Sequence, residues 1–116
     1  MATLTIQKIT RTGIIPTFAA ADAALTDKVA NDGNTFLEFK NGNAAVRNIT
    51  INSQLAAGAI PPGAVLQNVT VQIPTLTGDK MIGPFPVSSF NDPTNYLIWT
   101  FDAQPNLTIG CFSLNP

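Results

Sequence analysis

Seven carboxylates and one thiol account for most of the bond-making chemistry this chain could attempt: Asp22, Asp27, Asp32, Glu38, Asp79, Asp92, Asp102 and Cys111. Histidine is absent, so neither the thiol nor any serine has the usual general base. Lysine or carboxylate bases remain open, but no motif points to them. Two carboxyls held at a defined separation can hydrolyse a glycosidic bond. Asp32, Asp79 and Asp92, however, stand beside Gly, Asn or Pro, where turn formation accounts for them. Glu38 alternates outward on a strand pattern and needs only water. Cys111 shares a face with Leu107 and Ile109 and reads as a small buried hydrophobe. No catalytic residue is expected.

Ligand sites fare little better. Asn31, Asp32 and Asn34, or Asn91, Asp92 and Asn95, could offer oxygens to calcium, which takes about six to eight. One short loop supplies too few, and Asx turns explain both clusters. No Cys/His cluster is spaced for zinc, so neither a metal nor another cofactor is expected. Asn-x-Thr sequons at Asn48, Asn68 and Asn106 lie in or beside strand patterns and read as outward polar residues. Tyr96 and Trp99 could form a sugar-binding platform, but their parity differs, which sends them to opposite faces of a flat strand.

The elements that would position these residues are short strands. Thr3–Gln7 alternate, with Leu4 and Ile6 on one face, and the phase slips between Lys8 and Ile9. Residues 17–30 allow two readings: a short helix capped by Asp22 and ending near Val29, or an extended segment followed by a loop. Thr35–Lys40 read as a strand between the turn Asn31–Asn34 and Asn41-Gly42, a type I′ hairpin signal. Val46–Asn52 would be the return strand, followed by a loop centred on Ile60-Pro61-Pro62-Gly63. Residues 65–73 alternate most cleanly, and Pro74 with Gly78-Asp79 closes them. A short strand begins at Met81-Ile82. Tyr96–Phe101 are apolar on both faces, which fits a central strand or one covered by a partner. Leu107–Leu114 complete the set, with a bulge expected at Gly110, where the alternation changes phase.

This grammar predicts an all-β chain: an antiparallel β-sandwich or jelly-roll-like single domain over residues 1–116, with at most one short helix. Residues 1–16 could act as an N-terminal strand or arm that reaches a partner. Composition narrows the function further. With 45% hydrophobic residues the core can be filled, and the single cysteine allows no internal disulfide. Six Lys and Arg at scattered positions and a net charge of −1 argue against nucleic acid. No apolar run approaches the roughly 18 residues that would span a bilayer, and the first residues lack a signal-peptide pattern. A protein made in the cytoplasm, without a membrane partner, is expected.

Two segments also carry a resemblance. Asn31-Asp32-Gly33-Asn34-Thr35-Phe36-Leu37-Glu38-Phe39-Lys40-Asn41-Gly42, and then Ile82-Gly83-Pro84-Phe85-Pro86 with Phe90-Asn91-Asp92, resemble stretches of small virion proteins of tailed bacteriophages. The order matches as well: an opening strand, an Ala-Asp-Ala segment, the Asn-Gly turn and the Gly-Pro-Phe-Pro turn. The resemblance implies a non-enzymatic capsid cement, or decoration, protein on the outside of the head. Its implied partner is the major capsid protein, with a homo-oligomer, a trimer for example, as a further expectation. Tail-tube, head–tail joining and fibre proteins are alternatives within that class, and a carbohydrate-binding or adhesin module is one outside it. The residues expected to adhere are Leu4 and Ile6 on the opening segment and Phe85 and Phe90 around the Gly-Pro-Phe-Pro turn, with core packing as the competing reading for each.

Overall fold

Alternation of apolar and polar residues over five to seven positions builds the centre of each of two sheets. A computed structural model describes residues 1–54 and 68–114. The loop expected around Ile60–Gly63 and the first residues of the expected strand 65–73 lie outside the described residues. The strands are β1 (Ala2–Leu4), β2 (Gln7–Lys8), β3 (Ala19–Ala20), β4 (Thr26–Ala30), β5 (Thr35–Asn41), β6 (Arg47–Ile51), β7 (Val69–Ile73), β8 (Gly78–Ile82), β9 (Tyr96–Phe101) and β10 (Leu107–Ser113). One four-residue helix, α1 (Val87–Phe90), precedes β9.

The first sheet runs β1-β4-β9-β6-β7 and the second β2-β10-β5-β8, with β3 attached to β10. The fold is thus the all-β sandwich expected, with one refinement. Most pairs are antiparallel, but β1 pairs with β4 in parallel and β2 with β10 in parallel. These two strands are nearly one extended run. The chain leaves the first sheet after Leu4, crosses at Thr5-Ile6, and joins the second sheet at Gln7. It therefore closes one side of the sandwich, and its parallel direction follows from that crossing.

The core lies between the sheets. Val29, Leu97, Trp99, Phe101, Ile49 and Ile51 come from the first sheet, and Leu37, Phe39, Leu107, Ile109 and Cys111 from the second. Trp99 packs edge-on against Phe39 at 6.1 Å between ring centroids. Such contacts join the two layers and add about 0.5–1.5 kcal/mol beyond area burial. β9 is the central strand of its sheet, in keeping with its apolar character on both faces. Asp27 is a fully buried carboxylate on the core side of β4. Its Oδ1 accepts the Ala2 N–H at 3.2 Å and its Oδ2 the Asp22 N–H at 3.4 Å, so it tethers the N-terminus. Burial pushes its pKa up, and the two N–H donors oppose that shift.

Three sequence expectations are corrected and one open choice is decided. Of the two readings of residues 17–30, the helix capped by Asp22 does not form, and the segment is extended at Ala19–Ala20 and Thr26–Ala30. Asp22 instead takes the Ala24 N–H across a turn, Leu25 adopts φ of 64°, and the chain continues as β4. Asn41-Gly42 is not a hairpin, because β5 and β6 belong to different sheets. The buried Asn41 amide donates to the carbonyls of Ala45 (2.9 Å) and Pro74 (3.0 Å), so it staples two inter-sheet corners. Gly78-Asp79 do not close β7. The turn falls earlier, with Leu76 at φ 63°, and Gly78 opens β8, where a Cβ would sit 1.9 Å from the Pro74 carbonyl oxygen. Finally, β10 has no bulge at Gly110. Its register with β5 runs unbroken from Leu107↔Asn41 to Ser113↔Thr35.

Candidate functional site

The two outer faces of the sandwich differ in chemistry. On the first sheet the outward residues are Thr26, Lys28, Asn48, Thr50, Thr70, Gln72 and Thr100, a wet polar surface. Tyr96 and Ile98 are its apolar members, and the Lys28 ammonium sits 4.5 Å above the Tyr96 ring. Glycan contact by a Tyr96/Trp99 platform is excluded, since Trp99 is fully buried in the core. Its indole Nε1 finds no acceptor among the described residues.

The second sheet presents Phe36 and Glu38 from β5, Met81 from β8 and Phe112 from β10 on its outer face. The phase change at Gly110 now has a physical cause. Gly110 and Phe112 point outward, yet they are buried because residues 9–18 cross over them. Phe18 meets Phe112 edge-on at 6.1 Å, and Phe36 stacks on Phe112 at 5.5 Å. A Cβ at Gly110 would lie 2.8 Å from the Phe112 ring and 2.9 Å from that of Phe18, so any larger residue must push one of these rings aside.

The crossing segment is clasped at its base. The Gln7 side chain donates to the Thr17 carbonyl at 2.9 Å and accepts the Thr17 N–H at 2.8 Å. A turn from Thr10 to Gly13 folds its far end. The result is an anchored loop whose far turn is polar and exposed and whose apolar residues, Ile9, Ile14 and Pro16, flank that turn and line the sheet side. Ile15 is 91% exposed, Met81 67% and Leu114 65%. Two neighbouring grooves share Phe36 and Met81. One extends to Pro84 and Leu114, the other to Ile9, Ile14, Pro16 and Glu38. A continuous apolar strip therefore runs from the loop, across Met81, to the end of β10. Contiguous exposed apolar surface of this kind marks an interaction site more strongly than isolated residues do.

Glu38 lies at the edge of this strip. Burial raises its pKa, and the Asp79 carboxyl, close enough to share a hydrogen bond, raises it further, with Lys40 acting in the opposite direction. The Lys40 ammonium is engaged 4.1 Å above the Phe18 ring.

The residues expected to adhere are placed differently from one another. Leu4, Ile6 and Phe90 are half-buried and pack against the core cluster. Phe85 is 2% exposed and meets Phe90 edge-on at 5.3 Å, which makes it core and corrects its assignment to the surface. None of the four lines the apolar strip. Met81, Phe36 and Phe112, which do line it, were not among the residues expected from the sequence. Their signal was present in two places: the outward Phe36 on β5, and the run Gly110–Phe112, whose second apolar face was read as a bulge.

The remaining clusters have structural work. Asn31 Nδ2 donates to Asn91 Oδ1 at 2.6 Å, and Asn91 Nδ2 donates back to the Asn31 carbonyl at 3.0 Å, so two turns are clipped together. Asp92 Oδ1 accepts the N–H groups of Thr94 and Tyr96, both at 2.9 Å, and the Tyr96 bond leads in holding its pKa low. No group of three or more potential metal ligands occurs among the described residues, and no helix among them is long and apolar enough to cross a membrane. Burial pushes the Cys111 thiol up to about 12, which leaves it protonated and unreactive. Comparison of the chain with family models, curated proteins and solved structures finds no match.

Proposed function

We propose that this protein is a capsid cement, or decoration, protein of a tailed bacteriophage, which binds the outer surface of the head and stabilises contacts between major capsid subunits. The observation that carries the reading is the asymmetry of the sandwich: one outer face is polar, the other bears an apolar strip from Ile14 to Leu114. The resemblance of residues 31–42 and 82–92 to small virion proteins supplies the partner. A standard interface buries about 800 Å² on each side, and only part of the gross hydrophobic gain survives the costs of association. Contacts that bridge neighbouring subunits gain from multivalency, so one modest apolar face used many times suffices.

Mixing the purified protein with shells that lack it tests the reading. Saturable, stoichiometric binding with added resistance of the shell to heat is expected. Shells that neither bind the protein nor gain heat resistance would reject it.

A further inference from the structure

The groove between the loop and β8 is built from apolar walls and one acid. Ile14 and Pro16 come from the loop, Met81 from β8 and Phe112 from β10, and Glu38 stands among them. Its cavity volume is about 230 Å³, below the roughly 300 Å³ at which sites for drug-sized ligands begin. The space suits a single side chain. Glu38 is backed by Asp79 on the neighbouring strand, and Lys40, the cation that acts on it, is turned over Phe18. An apolar channel with one carboxyl in its lining, a second carboxyl behind that one and no cation among its described lining residues complements a long side chain with a charged head. Lysine and arginine have that form: a stem that lies on apolar surface and a head that seeks carboxylate.

Resting on the decoration reading, we propose that this groove receives one lysine or arginine side chain of the partner, its stem along Ile14, Pro16, Met81 and Phe112 and its charged head on the Glu38 and Asp79 carboxyls. Arginine fits best, since its planar fork can address two carboxyls at once. The pair then acts as the specific element within a face whose adhesion is otherwise non-directional. Partner binding favours the ionised Glu38 carboxyl, so affinity falls in acid as Glu38, already inclined to hold a proton, takes one up.

Two measurements test this separately from the function. In the first, the isolated protein is titrated with butylguanidinium and, as the neutral isostere, butylurea, while the two methionine methyls are followed by NMR. The Met81 methyl should shift saturably with butylguanidinium, and the Met1 methyl should stay still. Butylurea should bind about tenfold more weakly or less, and the doubly substituted Glu38→Gln/Asp79→Asn protein should lose the preference for the cation. Equal titration by the two compounds, or a still Met81 methyl, overturns the inference. In the second, the same double variant, checked as folded by its melting curve, is added to shells. It should bind about tenfold more weakly than wild type, and the difference should shrink as salt is added. Equal affinity of variant and wild type overturns the groove proposal and leaves the decoration reading standing. Failure of the wild type to bind shells removes the decoration reading, and the butylguanidinium titration then decides the groove alone.

Discussion

Glu38 shows how a single residue can be poorly placed for stability and yet suit the recognition proposed for it. Its carboxyl is raised above the ordinary range, by burial first and by Asp79 second. A carboxyl whose pKa is higher folded than unfolded binds more protons in the native state across the interval between the two values. Stability therefore falls as pH rises through that interval and stays lower above it. Glu38→Gln removes this penalty, so it should melt higher than wild type at neutral pH, with the two curves converging in acid; a lower melting temperature at pH 7 would contradict the assignment. Asp92 behaves in the opposite sense. Its lowered pKa adds stability above the unfolded value, and that stability is lost as pH falls through the folded one. Cys111 offers a third check at this scale. A thiol raised to about 12 should ignore a disulfide reagent at pH 8 in the folded protein and react fully once unfolded.

At the scale of elements, the strands were legible and their connections were not. Alternation placed β5, β6, β7, β9 and β10 because each has one face in the core, which imposes a period of two on the sequence. Asn41-Gly42 misled because the same dipeptide that favours a hairpin also suits a corner, and only the buried Asn41 amide distinguishes them. The segment 17–30 stayed open in the sequence because helix propensity is a weak prior, and pairing of β4 with β1 and β9 decides it as extended. The apolar strip was illegible for a further reason. Its members come from β5, β8, β10 and the loop, and only the fold brings them together. Glycine positions test the corners. Gly78→Ala would drive a Cβ into the Pro74 backbone, which cannot move cheaply, so a loss of about 2–4 kcal/mol in denaturant unfolding is expected. Gly110→Ala meets only side-chain atoms of Phe112 and Phe18 and should cost less, while faster amide exchange appears in residues 9–18.

For the whole molecule, the division of labour between the two outer faces is the claim on which function depends. Met81 is the most exposed strand residue of the strip and is shared by both grooves. Met81→Asp leaves the core untouched and should change the melting temperature little, yet it places a charge at the centre of the docking face and should weaken shell binding by about tenfold or more. Thr70→Asp on the polar face is the matched control, with affinity within about twofold of wild type. The most direct measurement is a cryo-electron microscopy reconstruction of shells decorated with the wild-type protein. The sandwich should lie with Ile14, Met81 and Leu114 against the capsid subunits and with Thr50, Thr70 and Gln72 toward solvent. A sandwich seated on the shell by its polar face, with Met81 open to water, would contradict it.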